Sequence, residues 1–72
     1  MGFTITAAEL IAFLTAQGFH IETGRGRHGT KAVKGGLQVS IPMHGGDLKD
    51  GTARSILRQA GYKPADVMNW RR

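Results

Sequence analysis

Seventy-two residues bound one small domain, spanning residues 1–72, whose modest core leaves no room for an enclosed substrate cavity. The absence of cysteine excludes disulfides and thiolate metal sites and fits a reducing, cytoplasmic compartment; the longest apolar run is far too short to cross a bilayer as a helix, so no membrane role is expected. The net charge is +5, and all ten lysines and arginines lie from Arg25 onward, facing only Asp47, Asp50 and Asp66, while Glu9 and Glu22 precede them. Such polarity is the footprint of a polyanion partner, with a merely solvated surface as the plain alternative.

Thr6-Ala7-Ala8-Glu9 reads as a capping box, the Thr6 hydroxyl accepting from the Glu9 amide and the Glu9 carboxylate reaching back. Ile5 and Leu10 are placed as a hydrophobic staple. Leu10, Phe13, Leu14 and Gln17 recur at helical spacing, widened by Ala7 and Ile11, so a first helix is expected over residues 7–17 with Gly18 as its stop. Phe19, Ile21 and Thr23 alternate with His20 and Glu22 as a half-buried strand, which leaves His20 facing solvent. After a glycine-rich loop, residues 30–34 read as a second strand. Gly35-Gly36 signals a hairpin into a third strand of Leu37, Val39 and Ile41, and Pro42 stops it. That hairpin pairs Lys34 with Leu37 and Ala32 with Val39, which turns Val33 away from the core.

Asp47 and Asp50 place negative charge at the start of a second helix, where the helix dipole favours it. Ala53, Ile56, Leu57 and Ala60 form its apolar stripe, Arg54 and Arg58 lie four apart on its exposed face, and Gly61 ends it. Pro64 suits a first turn, and Ala65–Trp70 reads as one short final helix. The expected fold class is α+β: helix, three-stranded antiparallel sheet, helix, with the helices on one face of the sheet, the other face open, and a short C-terminal helix.

The segment Gly24-Arg25-Gly26-Arg27-His28-Gly29 carries the chemical signal. Glycines allow close backbone approach to a ligand, arginines suit phosphate, and histidine exchanges a proton near neutral pH. The run matches Gly-x-Gly-x-x-Gly, but a dinucleotide site needs that run to open a helix in a parallel unit, whereas a hairpin strand follows here. His20, His28 and His44 fit no compact ligand spacing, so no metal is expected, and no small-molecule cofactor is implied. A lone histidine in a glycine loop is commonly inert. Arg25, Arg27 and Lys31 around it disfavour imidazolium and favour the neutral, proton-accepting form. A neutral imidazole beside phosphate-binding cations is what a metal-free ribonuclease needs: the base takes the 2′-hydroxyl proton, the oxygen attacks phosphorus, and the cations stabilise the phosphoryl charge.

The chain resembles the HicA-type toxins, small messenger-RNA interferases of toxin–antitoxin pairs. The resemblance runs from Glu9-Leu10-Ile11 through Gln17-Gly18-Phe19, Gly26-Arg27-His28 and Ile41-Pro42-Met43-His44-Gly45, and is tightest over residues 47–61, Asp47-Leu48-Lys49-Asp50-Gly51-Thr52-Ala53-Arg54 and onward to Gly61. It implies a double-stranded-RNA-binding-domain-like fold, an endoribonuclease with His28 as its active histidine, and a HicB-type antitoxin that occludes the site. Two positions differ from the family pattern: Arg27 stands where a small hydroxyl residue usually precedes the histidine, and Gly29 replaces a usually larger residue. The reading is therefore a toxin that cleaves RNA without metal, with His28 as general base. Arg25, Gly26, Arg27 and Lys31 would meet RNA, with Lys34, Arg54 and Arg58 as outer contacts. Its rival is a non-catalytic RNA-binding module of the same shape, which needs no histidine.

Overall fold

The computed structural model of this protein describes residues 3–23, 29–42 and 46–72. Its elements are α1 (Ala7–Ala16), β1 (His20–Thr23), β2 (Thr30–Lys34), β3 (Leu37–Ile41), α2 (Asp50–Ala60) and α3 (Pro64–Trp70). This is the expected helix, three-strand, helix order with its additional C-terminal helix.

α1 begins as its sequence dictates. Thr6 is extended and its hydroxyl accepts the Glu9 N–H at 3.0 Å. The second arm of the expected capping box does not form, because the Glu9 carboxylate is turned outward to Arg71. Ile5 and Leu10, the two staple residues, are both buried. The helix stops one residue earlier than the periodicity suggested, with Gln17 as its cap. Gly18 then takes a φ of +98°, a conformation closed to most side chains, which lets Phe19 N–H reach Leu14 O and Gly18 N–H reach Thr15 O, each at 3.0 Å. The same pair of bonds closes α2, from Tyr62 N–H to Leu57 O at 2.8 Å and from Gly61 N–H to Arg58 O at 3.0 Å.

The sheet is antiparallel in the order β1-β2-β3. Gly35 and Gly36 both have positive φ, the requirement of a tight two-residue hairpin, and Lys34 pairs with Leu37 as expected. This register aligns Ile21, Ala32 and Val39 in one row, with Thr30 and Ile41 in the next, all on the face toward the helices. Ala32, Val39, Ile41 and Thr30 are buried. The opposite face carries His20, Glu22, Lys31, Val33, Gln38 and Ser40, with Val33 half-buried and the other five exposed. No helix packs on that face among the described residues.

The core joins Leu10, Phe13 and Leu14 of α1 to Ala53, Ile56, Leu57 and Ala60 of α2, the stripe its spacing predicts. Two segments outside the regular elements complete it. Leu48 is buried and its N–H donates to Ile5 O at 2.8 Å. Asp47 does not lie in the first turn of α2, as its charge had suggested, but opposite Thr6 in an isolated antiparallel bridge. Asp50 does open α2. One of its carboxylate oxygens accepts Phe3 N–H at 2.8 Å, and both receive Arg54 Nε at 2.9 and 3.0 Å.

α3 buries Val67 and sets Trp70 edge-on to Phe13, with ring centres 5.5 Å apart. Behind it, Arg71 grips Glu9 through two hydrogen bonds of 2.9 and 2.6 Å, donates to Thr4 O at 2.9 Å, and lies over the Phe3 ring. The paired, two-point geometry is the form in which arginine binds a carboxylate most strongly.

Two consequences are measurable. Phe13→Ala removes the ring that Tyr62 and Trp70 both meet and should cost about 3–5 kcal/mol, enough to abolish a cooperative melt in so small a domain, as read by circular dichroism. The Arg54 guanidinium first, and the Phe3 N–H second, hold the Asp50 carboxyl below its usual value of 3.8. A lowered value in the folded state means stabilisation that is complete above about 3.8 and disappears as pH falls through the folded value. Urea unfolding between pH 5 and 2 should show this acid limb in the parent and a shallower one in Asp50→Asn.

Candidate functional site

The open face of the sheet ends, on the side of the β1–β2 connection, in a row of three paired residues. Glu22 faces Lys31, and Lys31 faces Ser40. Strand alternation puts all three side chains on the face the helices leave bare. Together with Thr23, Gly29, Ile41 and Pro42 they line a shallow, open depression of about 520 Å³. Thr23 and Gly29 precede and follow the segment 24–28 in the chain. Arg25, Gly26, Arg27 and His28 lie outside the described residues, as does His44. Gly29 leads directly into β2 at Thr30, so the glycine run opens a strand and not the helix a dinucleotide site needs. A Cβ at Gly29 would meet the Ile41 carbonyl at 3.4 Å, so β2 and β3 are closely apposed there.

This shelf is open, and it offers a lysine ammonium, a carboxylate and a hydroxyl along one line. An ammonium is a compact point charge that suits a phosphate approaching from solvent. Ser40 and Glu22 can hydrogen-bond ribose hydroxyls or base edges. His20 is exposed two residues along β1 from Glu22, as its alternation predicted.

The three outer cations separate. Lys34 is turned to the helix side, where its Nζ donates to Gln17 O at 2.7 Å and lies 5.6 Å from the centre of the Phe19 ring. Its ammonium therefore caps the C-terminal end of α1, where a positive charge is favoured. Arg54 and Arg58 stand on the exposed face of α2, as expected, and Arg54 is paired with Asp50. They line a second depression, of about 370 Å³, with Gly61, Tyr62, Lys63 and Pro64. The structure thus brings Arg54 and Arg58 together and adds Lys63, which sequence reasoning missed. The available signal was its position, an exposed residue between a helix stop at Gly61 and a helix start at Pro64. Lys31 belongs to the other site.

A family model describing the HicA toxin of bacterial toxin–antitoxin systems matches residues 7–62, from the first residue of α1 to Tyr62. No curated protein and no solved structure matches the chain. The matched span includes the sheet, the β1–β2 connection and both long helices, and by this match the chain belongs to the HicA toxin family.

Proposed function

We propose that this protein is the toxin of a type II toxin–antitoxin pair and a metal-independent endoribonuclease that cleaves messenger RNA in the cytoplasm. The observation that carries this reading is the family match across residues 7–62, which includes Gly26-Arg27-His28. The open shelf flanking that segment supports it, because a polymer can lie there without entering a cavity. His28 acts as the general base. It takes the proton of a ribose 2′-hydroxyl, the oxygen attacks the adjacent phosphorus to give a 2′,3′-cyclic phosphate, and the bond to the 5′-oxygen breaks as that oxygen takes a proton from solvent water. Arg25, Arg27 and Lys31 stabilise charge on the non-bridging oxygens. Gly26 lets the backbone approach the strand. Lys34, held at the end of α1, acts through its long-range field rather than by contact.

The partner of such a toxin is a HicB-type antitoxin, which inhibits by covering the shelf and the 24–28 segment and meets Arg54 or Arg58 on α2. An acidic antitoxin surface would be steered to these cations. One observation favours a second reading, a non-catalytic RNA-binding module: Arg27 occupies the position before His28 where the family usually carries a small hydroxyl residue.

The experiment is cleavage of a defined RNA by the purified protein in the presence of chelator. Loss of a general base should slow cleavage by roughly 10²–10⁴-fold, so His28→Ala should show none and should no longer arrest growth, while its melting temperature matches the parent's. His20→Ala should keep most of the activity. Cleavage by His28→Ala at the parent rate, or arrest of the parent by chelator, overturns the mechanism; a parent that binds RNA without cutting it selects the binding-module reading. RNA affinity should also fall with salt at about 0.7 per phosphate contact on a single strand, and Lys31→Ala should lower that slope by one contact.

A further inference from the structure

The depression at the junction of α2 and α3 has no part in the cleavage just described, yet it gathers three cationic side chains. Arg54 and Arg58 are one turn apart on α2, about 6 Å along its axis, and Lys63 stands across from them beyond Gly61. Their setting is firmly held. The Tyr62 ring that lines the depression meets Phe13 edge-on at 5.3 Å and Phe19 at 6.3 Å. The Lys63 N–H donates to the Asp66 carboxylate at 2.8 Å, which fixes the backbone entering α3. Arg54 is compensated by Asp50, whereas the ion pairs among the described residues leave Arg58 and Lys63 without an acidic partner. Lys63 and Pro64 lie just beyond the residues that the family model matches.

The position of this corner is as informative as its charge. Tyr62 packs on Phe19, which precedes β1 and lies beneath Lys34, so the corner sits at the Gly35–Gly36 end of the sheet. The shelf of Glu22, Lys31 and Ser40 lies toward the opposite end and on the other face of the sheet, so the length of a five-residue strand, about 13–16 Å, is the least that separates the two places. A stacked strand advances about 3.4 Å per phosphate, so a strand that reaches from one place around to the other needs more than about four or five nucleotides. The one-turn spacing of Arg54 and Arg58 equals about two such steps.

We propose that the α2–α3 corner is a second phosphate-binding site for RNA, with Arg58 and Lys63 as its principal contacts, which holds the flank of a single strand whose other part lies on the shelf. The guanidinium fork of Arg58 suits phosphate oxygens, and a regularly charged polymer can occupy both ends of the molecule at once. This rests on the reading of the protein as RNA-binding, and does not depend on its cutting RNA.

The test is fluorescence-anisotropy titration of uncleavable, 2′-deoxy-substituted single strands of four and twelve nucleotides against salt, for the parent, Arg58→Ala/Lys63→Ala, Arg58→Gln/Lys63→Gln, and each double variant combined with Lys31→Ala. Melting temperature identifies which double variant keeps the parent fold. The double variant should lower the salt slope on the twelve-nucleotide strand by about 1.4, so that between 50 and 200 mM salt its affinity falls about seven-fold less than the parent's. Adding Lys31→Ala should lower the slope by about a further 0.7. The gain in affinity from four to twelve nucleotides should shrink in the double variant. A parent slope and parent length gain in a folded double variant overturn the proposal. A double variant that keeps parent RNA binding but loses a co-expressed acidic antitoxin assigns the corner to that protein instead. Cleavage of an all-ribose strand by the parent is measured separately: its absence removes the nuclease reading and leaves the slope test standing, whereas cleavage with an unchanged slope removes the corner alone.

Discussion

Phe13 is the residue on which the packing of the helices depends. It projects from α1 into the core, and its ring is met edge-on by Tyr62, which follows α2, and by Trp70, the last residue of α3. Edge-to-face contacts of this kind contribute about 0.5–1.5 kcal/mol each beyond the area they bury. They also carry a directional preference, which constrains how the three helices sit against one another. Tyr62 extends the chain of contacts to Phe19 and so to Lys34, at the hairpin end of the sheet. A domain of this size has little core to spare, and a single aromatic hub does what a larger protein distributes over many residues.

Much of this fold could be read from the sequence because the signals were local. The stripe of Ala53, Ile56, Leu57 and Ala60 is a helix period and nothing else, and all four are buried. The two glycines at 35 and 36 fixed the hairpin, and the hairpin fixed the register, down to Val33 on the open face. What the sequence did not disclose depends on residues far apart in the chain. Glu9 was correctly placed three positions after its cap, but nothing local says that its carboxylate will meet Arg71 instead of turning back. Asp47 looked like a helix-start charge because the bridge to Thr6 comes from the other end of the chain. Leu48 was an isolated apolar residue among polar ones, with no period to assign it, until the N-terminal segment supplied its partner.

The site divides along the same line. Lys31, Arg54 and Arg58 were legible as exposed cations because strand alternation and helix spacing fix exposure. Lys34 was read from charge alone, whereas its parity along β2 turns it toward the helices and gives its ammonium a carbonyl to cap. Lys63 was passed over because it lies in no periodic element. Its significance is geometric, since it comes beside Arg58 only when the chain turns at Gly61 and starts again at Pro64. The proposal for His28 was read from a histidine among arginines in a glycine loop and from a resemblance to a family, and it falls on a segment outside the described residues.

The Arg71 clasp joins positions 62 apart in the chain, and this has a consequence for how the molecule opens. Arg71 holds Thr4 and Phe3 as well as Glu9, while Phe3 and Ile5 in turn hold Asp50 and Leu48. The last helix, the first extended residues and the entry to α2 are therefore tied to one another by contacts in which the hairpin of β2 and β3 has no part. Fraying of the C-terminus should loosen the N-terminal segment and the start of α2 together. Amide hydrogens at Phe3, Leu48 and Arg71 are accordingly expected to exchange through one shared opening, and those between β2 and β3 to stay protected until the core itself is lost.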